Sequence, residues 1–483
     1  MNKLAPNATA PCAREPVSPR WSPKWVRWSP AFAAGLALLA LAVWFSHGQT
    51  LALRLRVPGT DQAPGTGSTS GRNPVLAGQV TRGEGQPADL PGAWPGFRGA
   101  ARDNISADAK GLARSWGSGG PRELWAVDLG EGYAGAAVRN GRVYLLDYDQ
   151  TKKQDALRCL SLADGREIWR FAYPISVKRS HGMSRTVPAV TDQYAVSLGP
   201  KCHVACVDAV SGELKWGLDL VRQFGSKVPQ WYAGQCPLIE SNRVILAPAG
   251  TNALLLAIDL ATGNTLWQSP NPNEWNMTHS SVAPMDFAGR HSYVYCADKG
   301  VVGIAADSGA LLWQTTDWKI TIATVPSPLP LPEGRLFLSG GYDAGSLMLQ
   351  LAEQEGKITA KTLFRLEPSV FGAAQQTPIF HQGNIYGVRP DGRFTCLDLN
   401  GKVVWTSEAN QQFGMGPFLL ADGLFFVMND AGKLSLLEAS PSRCTLLAQA
   451  QVLKGHDSWG PMAFAAERLL VRDLTRLACL QVK

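Results

Sequence analysis

Residues 206–216 read CVDAVSGELKW. Close variants stand at 159–169 (CLSLADGREIW), 257–267 (AIDLATGNTLW), 303–313 (GIAADSGALLW) and, one residue shorter, 396–405 (CLDLNGKVVW). In every copy a glycine precedes a tryptophan by four residues. The tryptophans that end such segments are Trp125, Trp169, Trp216, Trp267, Trp313 and Trp405, with steps of 44, 47, 51, 46 and 92. The last step is two periods of 46, the unit between them being degenerate and ending near Phe364. One further step reaches Leu447. A period in the forties with strand-like content predicts a β-propeller with one four-stranded blade per repeat.

The units have hairpin chemistry. NGRVYLLDYD (140–149), SNRVILAPAG (241–250) and ADGLFFVMND (421–430) each place a turn before an apolar, β-prone run. The repeated phrase is therefore a third strand, a tight turn and the outer strand. Its Asp or Ser can bond turn amides, and its Gly takes a positive φ. The tryptophan is expected to dock between neighbouring blades, burying about 150–250 Å². Units fall at about 133–169, 182–216, 231–267, 278–313, 323–366, 371–405 and 413–447, and an eighth, 457–482, lacks its outer strand. ELWAVDL (123–129) can supply that strand from the front of the chain and close the ring without a covalent bond. The expectation is an all-β, eight-bladed β-propeller over residues 93–483.

Before the repeats the chain changes character. Residues 1–120 hold thirteen Lys/Arg and six Asp/Glu, which accounts for the whole net charge of +7; residues 121–483 hold thirty-three of each. A nucleic-acid binder normally carries its basic surface on the folded domain, so nucleic acid is excluded as a partner. Residues 1–30 form a basic tail with Lys3, Arg14, Arg20, Lys24 and Arg27 against Glu15. AFAAGLALLALAVWF (31–45) follows, about 22 Å long as a helix, flanked by Trp28 and Trp44. This reads as an uncleaved transmembrane signal anchor over 31–46, with a cleaved signal peptide as the competing reading. Either puts the rest of a bacterial chain in the periplasm, on the inner membrane when uncleaved. Residues 47–92, rich in Gly, Pro, Ser and Thr from 57 onward, read as a flexible linker.

Of nine cysteines, Cys159, Cys206, Cys396 and Cys479 share one column of the repeat, held by Ala257 and Gly303 in other units. Equivalent columns of different blades are too far apart to bridge, so these read as buried thiols. Cys202 and Cys206 lie about 13 Å apart along a strand and cannot share a metal. GEGYAG (130–135) matches GxGxxG but precedes a strand rather than a helix, which argues against a nucleotide site. HExxH and GxSxG are absent.

The loops before each first strand should ring the central funnel. They carry His181, Arg185, Trp231, Tyr232, Gln235, Trp275, His279, Gln375, Gln376 and Trp459. Such aromatics and amides could hold a ring-shaped ligand or a peptide. The plainer alternative is that Trp231 and Trp459 plug the channel and His279 is a hydrogen-bonded loop histidine.

AIDLATGNTLW resembles the tryptophan-docking repeats of the PQQ-repeat, quinoprotein-like β-propellers. WPGFRGAARDNIS (94–106) is similar to the WPxFRGxxRDGxS lead-in of bacterial members of that group. The resemblance spans about 94–483. It implies either a non-catalytic binding scaffold, like the outer-membrane assembly propeller, or an alcohol dehydrogenase using pyrroloquinoline quinone and Ca²⁺. The chain has no adjacent cysteine pair of the kind those dehydrogenases place against the quinone. The scaffold, without cofactor or metal and with a protein or small-molecule partner at the funnel or loops, is therefore the expectation.

Overall fold

The computed structural model describes residues 23–47 and 71–483. They fall into two units, 1–56 and 57–483. In the first, a helix runs over Pro23–His47, with Trp28, Phe32, Leu36, Leu38 and Leu39 exposed. Among the described residues no helix is long and apolar enough to cross a membrane. The transmembrane expectation over 31–46 thus finds no support; the uninterrupted apolar run is only fifteen residues, short of a ~30 Å hydrocarbon core. The tail up to residue 22 lies outside the described residues.

The second unit is an eight-bladed β-propeller. Blades 1–7 cover 137–174, 189–219, 238–268, 283–315, 329–366, 379–406 and 418–451, each an antiparallel four-stranded meander. The eighth sheet has three strands within 463–481, and its outermost strand is Arg122–Asp128, antiparallel to Arg476–Gln481. One short helix, Leu220–Phe224, capped by the Asp219 carboxylate, follows blade 2.

The repeated phrase is the third strand, turn and outer strand of its blade. In register, each outer-strand tryptophan sits opposite the small column: Trp169 faces Cys159, Trp216 Cys206, Trp267 Ala257, Trp313 Gly303, Trp405 Cys396 and Trp125 Cys479. A bulky residue in that column would meet the indole. A register shift follows every one of these pairs, skipping the residue before the tryptophan. A bulge at a fixed place re-aims the following side chain. Here it aims the indole at the next blade's turn. A Cβ added to Gly165, Gly212, Gly263 or Gly309 would lie 2.6–2.7 Å from the ring of Trp125, Trp169, Trp216 or Trp267 respectively. All four glycines have φ between 73° and 77°. Phe364 does the same work over Gly401 in the degenerate unit. In blade 7 the column's partner is Ala448 rather than Leu447, which occupies the bulge. The eight cysteines of the described residues are free, seven of them buried.

Residues 73–106 are built into the ring, which corrects the flexible-linker reading for its last part; residues 48–70 lie outside the described residues. Pro74–Ala77 forms a 3-10 turn whose Val75 is fully buried against blades 1 and 2. Gln79–Arg82 adds a fifth, outermost strand to blade 1. Gly83, Gly85 and Gly141 permit this close path: a Cβ on any of them would lie within 2.4 Å of a carbonyl oxygen. The composition that suggested a loose tether instead serves tight backbone contact.

The segment 94–106 then crosses the ring's axis. Trp94 exchanges backbone hydrogen bonds with Val138 in the first strand of blade 1, and Pro95 accepts from Val190 in that of blade 2. Arg102 donates to the Ile239 carbonyl in blade 3. Arg98 donates to Thr377 and Pro378 at the start of blade 6. Ile105–Ser106 pairs in parallel with the first strand of blade 7. A single segment that touches five innermost strands divides the channel.

Candidate functional site

Two cavities flank this plug. One, of about 480 Å³, is lined by residues 95–103 and the first strands of blades 2 to 5. The other, of about 650 Å³, is lined by the loops that lead into the first strands. Phe97, Cys236 and Ser281 line both, so the plug forms a shared floor. The larger cavity is the funnel expected from the sequence.

Seven of the ten sequence candidates line it: His181, Arg185, Trp231, His279, Gln375, Gln376 and Trp459. The other three do not. Tyr232 is buried and donates its hydroxyl to the Lys178 carbonyl. Gln235 is buried, and its amide exchanges hydrogen bonds with the backbone of Ala247 at 2.8 and 3.0 Å. Trp275 packs in the core of blades 3 and 4. Adjacent residues of an irregular loop point in different directions, which explains why Trp231 enters the funnel and Tyr232 leaves it. Sequence reasoning missed Tyr133, Tyr342 and Met415. Tyr133 lay in view inside GEGYAG, and Tyr342 in the GGYDAG turn.

The walls are aromatic. Trp231 and Tyr342 lie nearly parallel, 11° between planes and 6.5 Å between centroids. His181 meets Trp231 edge-on at 6.2 Å, and Tyr133 packs 5.3 Å from Trp459. Trp459 is fixed by its indole N–H on Asp430 (2.7 Å) and by Gln376 on its carbonyl (3.2 Å). Tyr133 donates to Asp457 at 3.2 Å; burial and that carboxylate hold its phenol protonated. His181, Trp231, Tyr342 and Asp457 all have positive φ, a backbone cost of about 1–3 kcal/mol each. Glycine would avoid that cost, so these side chains are held there against local preference.

Arg185 lies at the side of the funnel with Cζ 5.0 Å from the centre of the Tyr133 ring. Its Nε donates to the Trp231 carbonyl, and Nη2 to the carbonyls of Gly182 (3.0 Å) and Ser180 (3.3 Å). Burial lowers its pKa to about 10, so it remains charged at neutral pH. His279 is the opposite case. Burial first, then the nearby Arg185 charge, lower its pKa to about 4 and keep it neutral.

No group of three or more His, Cys, Asp or Glu that could hold a metal ion occurs among the described residues. The funnel lining contains no Asp or Glu. The residues present therefore do not fit a calcium–quinone centre.

A family model described as outer membrane protein assembly factor BamB (PQQ_2) matches residues 152–400. The outer membrane protein assembly factor BamB of Moranella endobia (strain PCIT) is 20% identical over 336 residues, 66% of this chain and 70% of that protein. Among solved structures, BamB from Moraxella catarrhalis superposes with a TM-score of 0.52 at 12% identity, covering 75% of this chain and 99% of that one. A europium-containing methanol dehydrogenase superposes with a TM-score of 0.56 at 14% identity, covering 79% and 89%. At these identities the structural likeness is one of fold. The family match, however, spans more than half of the chain: it belongs to the PQQ_2 family of outer membrane protein assembly factor BamB.

Proposed function

We propose that this propeller is a non-catalytic scaffold that works outside the cytoplasm and holds a protein partner in envelope assembly. The observation that carries this reading is the family match over residues 152–400, which runs from the third strand of blade 1 to the third strand of blade 6. The funnel supports it: aromatic rings and amides converge there without a set of carboxylates for metal or acid–base chemistry. The plug adds rigidity, since it ties five blades across the axis. The pairing of Arg122–Asp128 with Arg476–Gln481 supports non-covalent closure of the ring. A periplasmic site and attachment to the inner membrane through residues 31–46 belong to the same reading. They rest on the five basic residues that precede the apolar run.

The test is in vivo cross-linking of the full chain in its native membrane, followed by co-purification. A reproducible envelope-assembly partner, lost when the loops bearing Trp231 and Tyr342 are replaced, supports the scaffold. Quinone and Ca²⁺ added to the purified protein, followed by alcohol-dependent dye reduction, would overturn it. Protease added to intact spheroplasts should digest the propeller; protection would refute the periplasmic placement.

A further inference from the structure

The funnel carries one fixed charge. Its lining has no Asp, Glu or Lys, and its two histidines flank a single arginine, Arg185. That guanidinium bonds only to backbone carbonyls and forms no ion pair; its Nη1 makes no hydrogen bond among the described residues. Arg185 is partly buried, and a partly desolvated cation gains from an anion beside it. Arg98 and Arg472 are buried and likewise form no ion pair among the described residues, but both of their terminal nitrogens donate to carbonyls, whereas Nη1 of Arg185 is left over.

Two further polar atoms at the funnel lack partners. Nε1 of Trp231 and Nε2 of His279 are buried, and neither makes a hydrogen bond. Both residues line the cavity, their rings 6.3 Å apart. A ligand in the funnel would satisfy both atoms together with Nη1 of Arg185. The near-parallel faces of Trp231 and Tyr342 add a surface suited to a planar group, and Tyr342 is half exposed, which leaves it open to an incoming ring. The cavity of about 650 Å³ lies within the usual range for small-ligand sites.

We propose that the funnel binds an aromatic carboxylate, with Nη1 of Arg185 as the anion's partner and Trp231 and Tyr342 as the stacking surfaces. A single arginine matches a monoanion. The scarcity of other donors argues against phosphate groups, which recruit several basic or backbone N–H groups together. The same chemistry is found in a free aromatic acid and at a polypeptide chain end with an aromatic last residue. The proposal rests on the funnel being the recognition site of the scaffold.

The experiment titrates the full chain by calorimetry and tryptophan fluorescence with three probes: benzoate, N-acetylphenylalanine and N-acetylphenylalaninamide. At least one carboxylate should bind, with the neutral amide roughly tenfold weaker or more, as for loss of a charge-assisted hydrogen bond. Tighter binding of benzoate assigns a free acid; tighter binding of N-acetylphenylalanine assigns a chain end. Arg185→Met should remove the preference for the carboxylate over the amide. Tyr342→Ala, which breaks no brace of the backbone, should weaken both carboxylates by a similar factor. It decides the case if Arg185→Met does not fold. Equal binding of acid and amide, no binding of either acid, or unchanged affinity in the variants overturns the proposal. Partner cross-linking retained by Arg185→Met alongside such a failure would leave the scaffold standing and reject only the carboxylate.

Discussion

Tyr144 takes the hydrogen-bond acceptor that the repeat offers to Trp169. In other blades the docked indole donates to the carbonyl three residues before the next blade's turn glycine: Trp125 to Leu162 (3.0 Å), Trp216 to Leu260 (2.9 Å) and Trp267 to Ala306 (3.1 Å). The equivalent carbonyl for Trp169 is that of Ala209, and the Tyr144 hydroxyl donates to it at 3.0 Å. The Trp169 indole N–H is buried without a partner. The two rings pack 5.9 Å apart, so the fold keeps both side chains and satisfies only one.

The two positions should therefore respond differently to loss of a donor. Tyr144→Phe removes one donor and frees the carbonyl for the other, so it should change stability by less than about 1 kcal/mol. Trp216→Phe has no substitute donor and shrinks the docked ring; it should cost about 2 kcal/mol or more. Urea midpoints of the two variants are the measurement, and a larger loss for Tyr144→Phe would refute the competition.

The turn glycines separate two costs. Gly263→Ala combines a positive φ with a methyl group 2.6 Å from Cγ of Trp216, and should destabilise by about 2–4 kcal/mol. Gly289 has a comparable φ of 70° and open space around it. Gly289→Ala should cost about 1–2 kcal/mol, the backbone part alone. Equal losses would mean that the indole contact at Gly263 contributes nothing.

The period and the Gly–Trp spacing made the ring legible because both repeat and both have a single physical use. The bulge beside each tryptophan was not legible, since the residues it skips, mostly aliphatic ones such as Leu266 and Val404 but also Lys215, are ordinary strand residues and carry no turn or bulge signal. The segment WPGFRGAARDNIS showed only as a resemblance. Its role as a plug depends on contacts with carbonyls of residues 239, 377, 378 and 418, which no local pattern encodes. At the funnel, residue type pointed to the right loops but not to side-chain direction, hence Tyr232, Gln235 and Trp275 in the core and Tyr342 overlooked.

Arg98 holds the plug. It is buried and donates to four carbonyls, those of Arg102, Thr377, Asp103 and Pro378, at 2.8–3.0 Å. Arg98→Met keeps bulk but strands these acceptors, and should cost about 3 kcal/mol or more. Hydrogen exchange should locate the damage. The amides of Val138, Val190 and Leu420, which donate to Trp94, Pro95 and Asn104, should lose protection ahead of the outer strands. Uniform loss across all blades would show that Arg98 acts on the whole ring rather than on the plug.

Asp155 makes the stability of the fold depend on pH. Its carboxylate is buried at the joint of blades 1 and 2, beside Gly199. Oδ2 accepts from the Tyr173 hydroxyl at 2.7 Å, and Oδ1 has no partner. Nearby, His203 and Asp219 approach each other at 3.7 Å, and the Asp147 carboxylate adds a like charge. Burial is the main cause that raises the pKa of Asp155 to about 7, and the Tyr173 hydrogen bond opposes it. The folded chain then holds a proton that the unfolded chain releases above about pH 4. Stability from this site therefore falls as pH rises from about 4 to about 7 and is level beyond. Asp155→Asn keeps an acceptor for Tyr173 and has no charge to bury. It should match the parent near pH 4 and exceed it at pH 8 by up to about 4 kcal/mol. Urea unfolding at several pH values reads the gap directly, and a gap that does not widen with pH would show that Asp155 is ionised in the folded protein throughout.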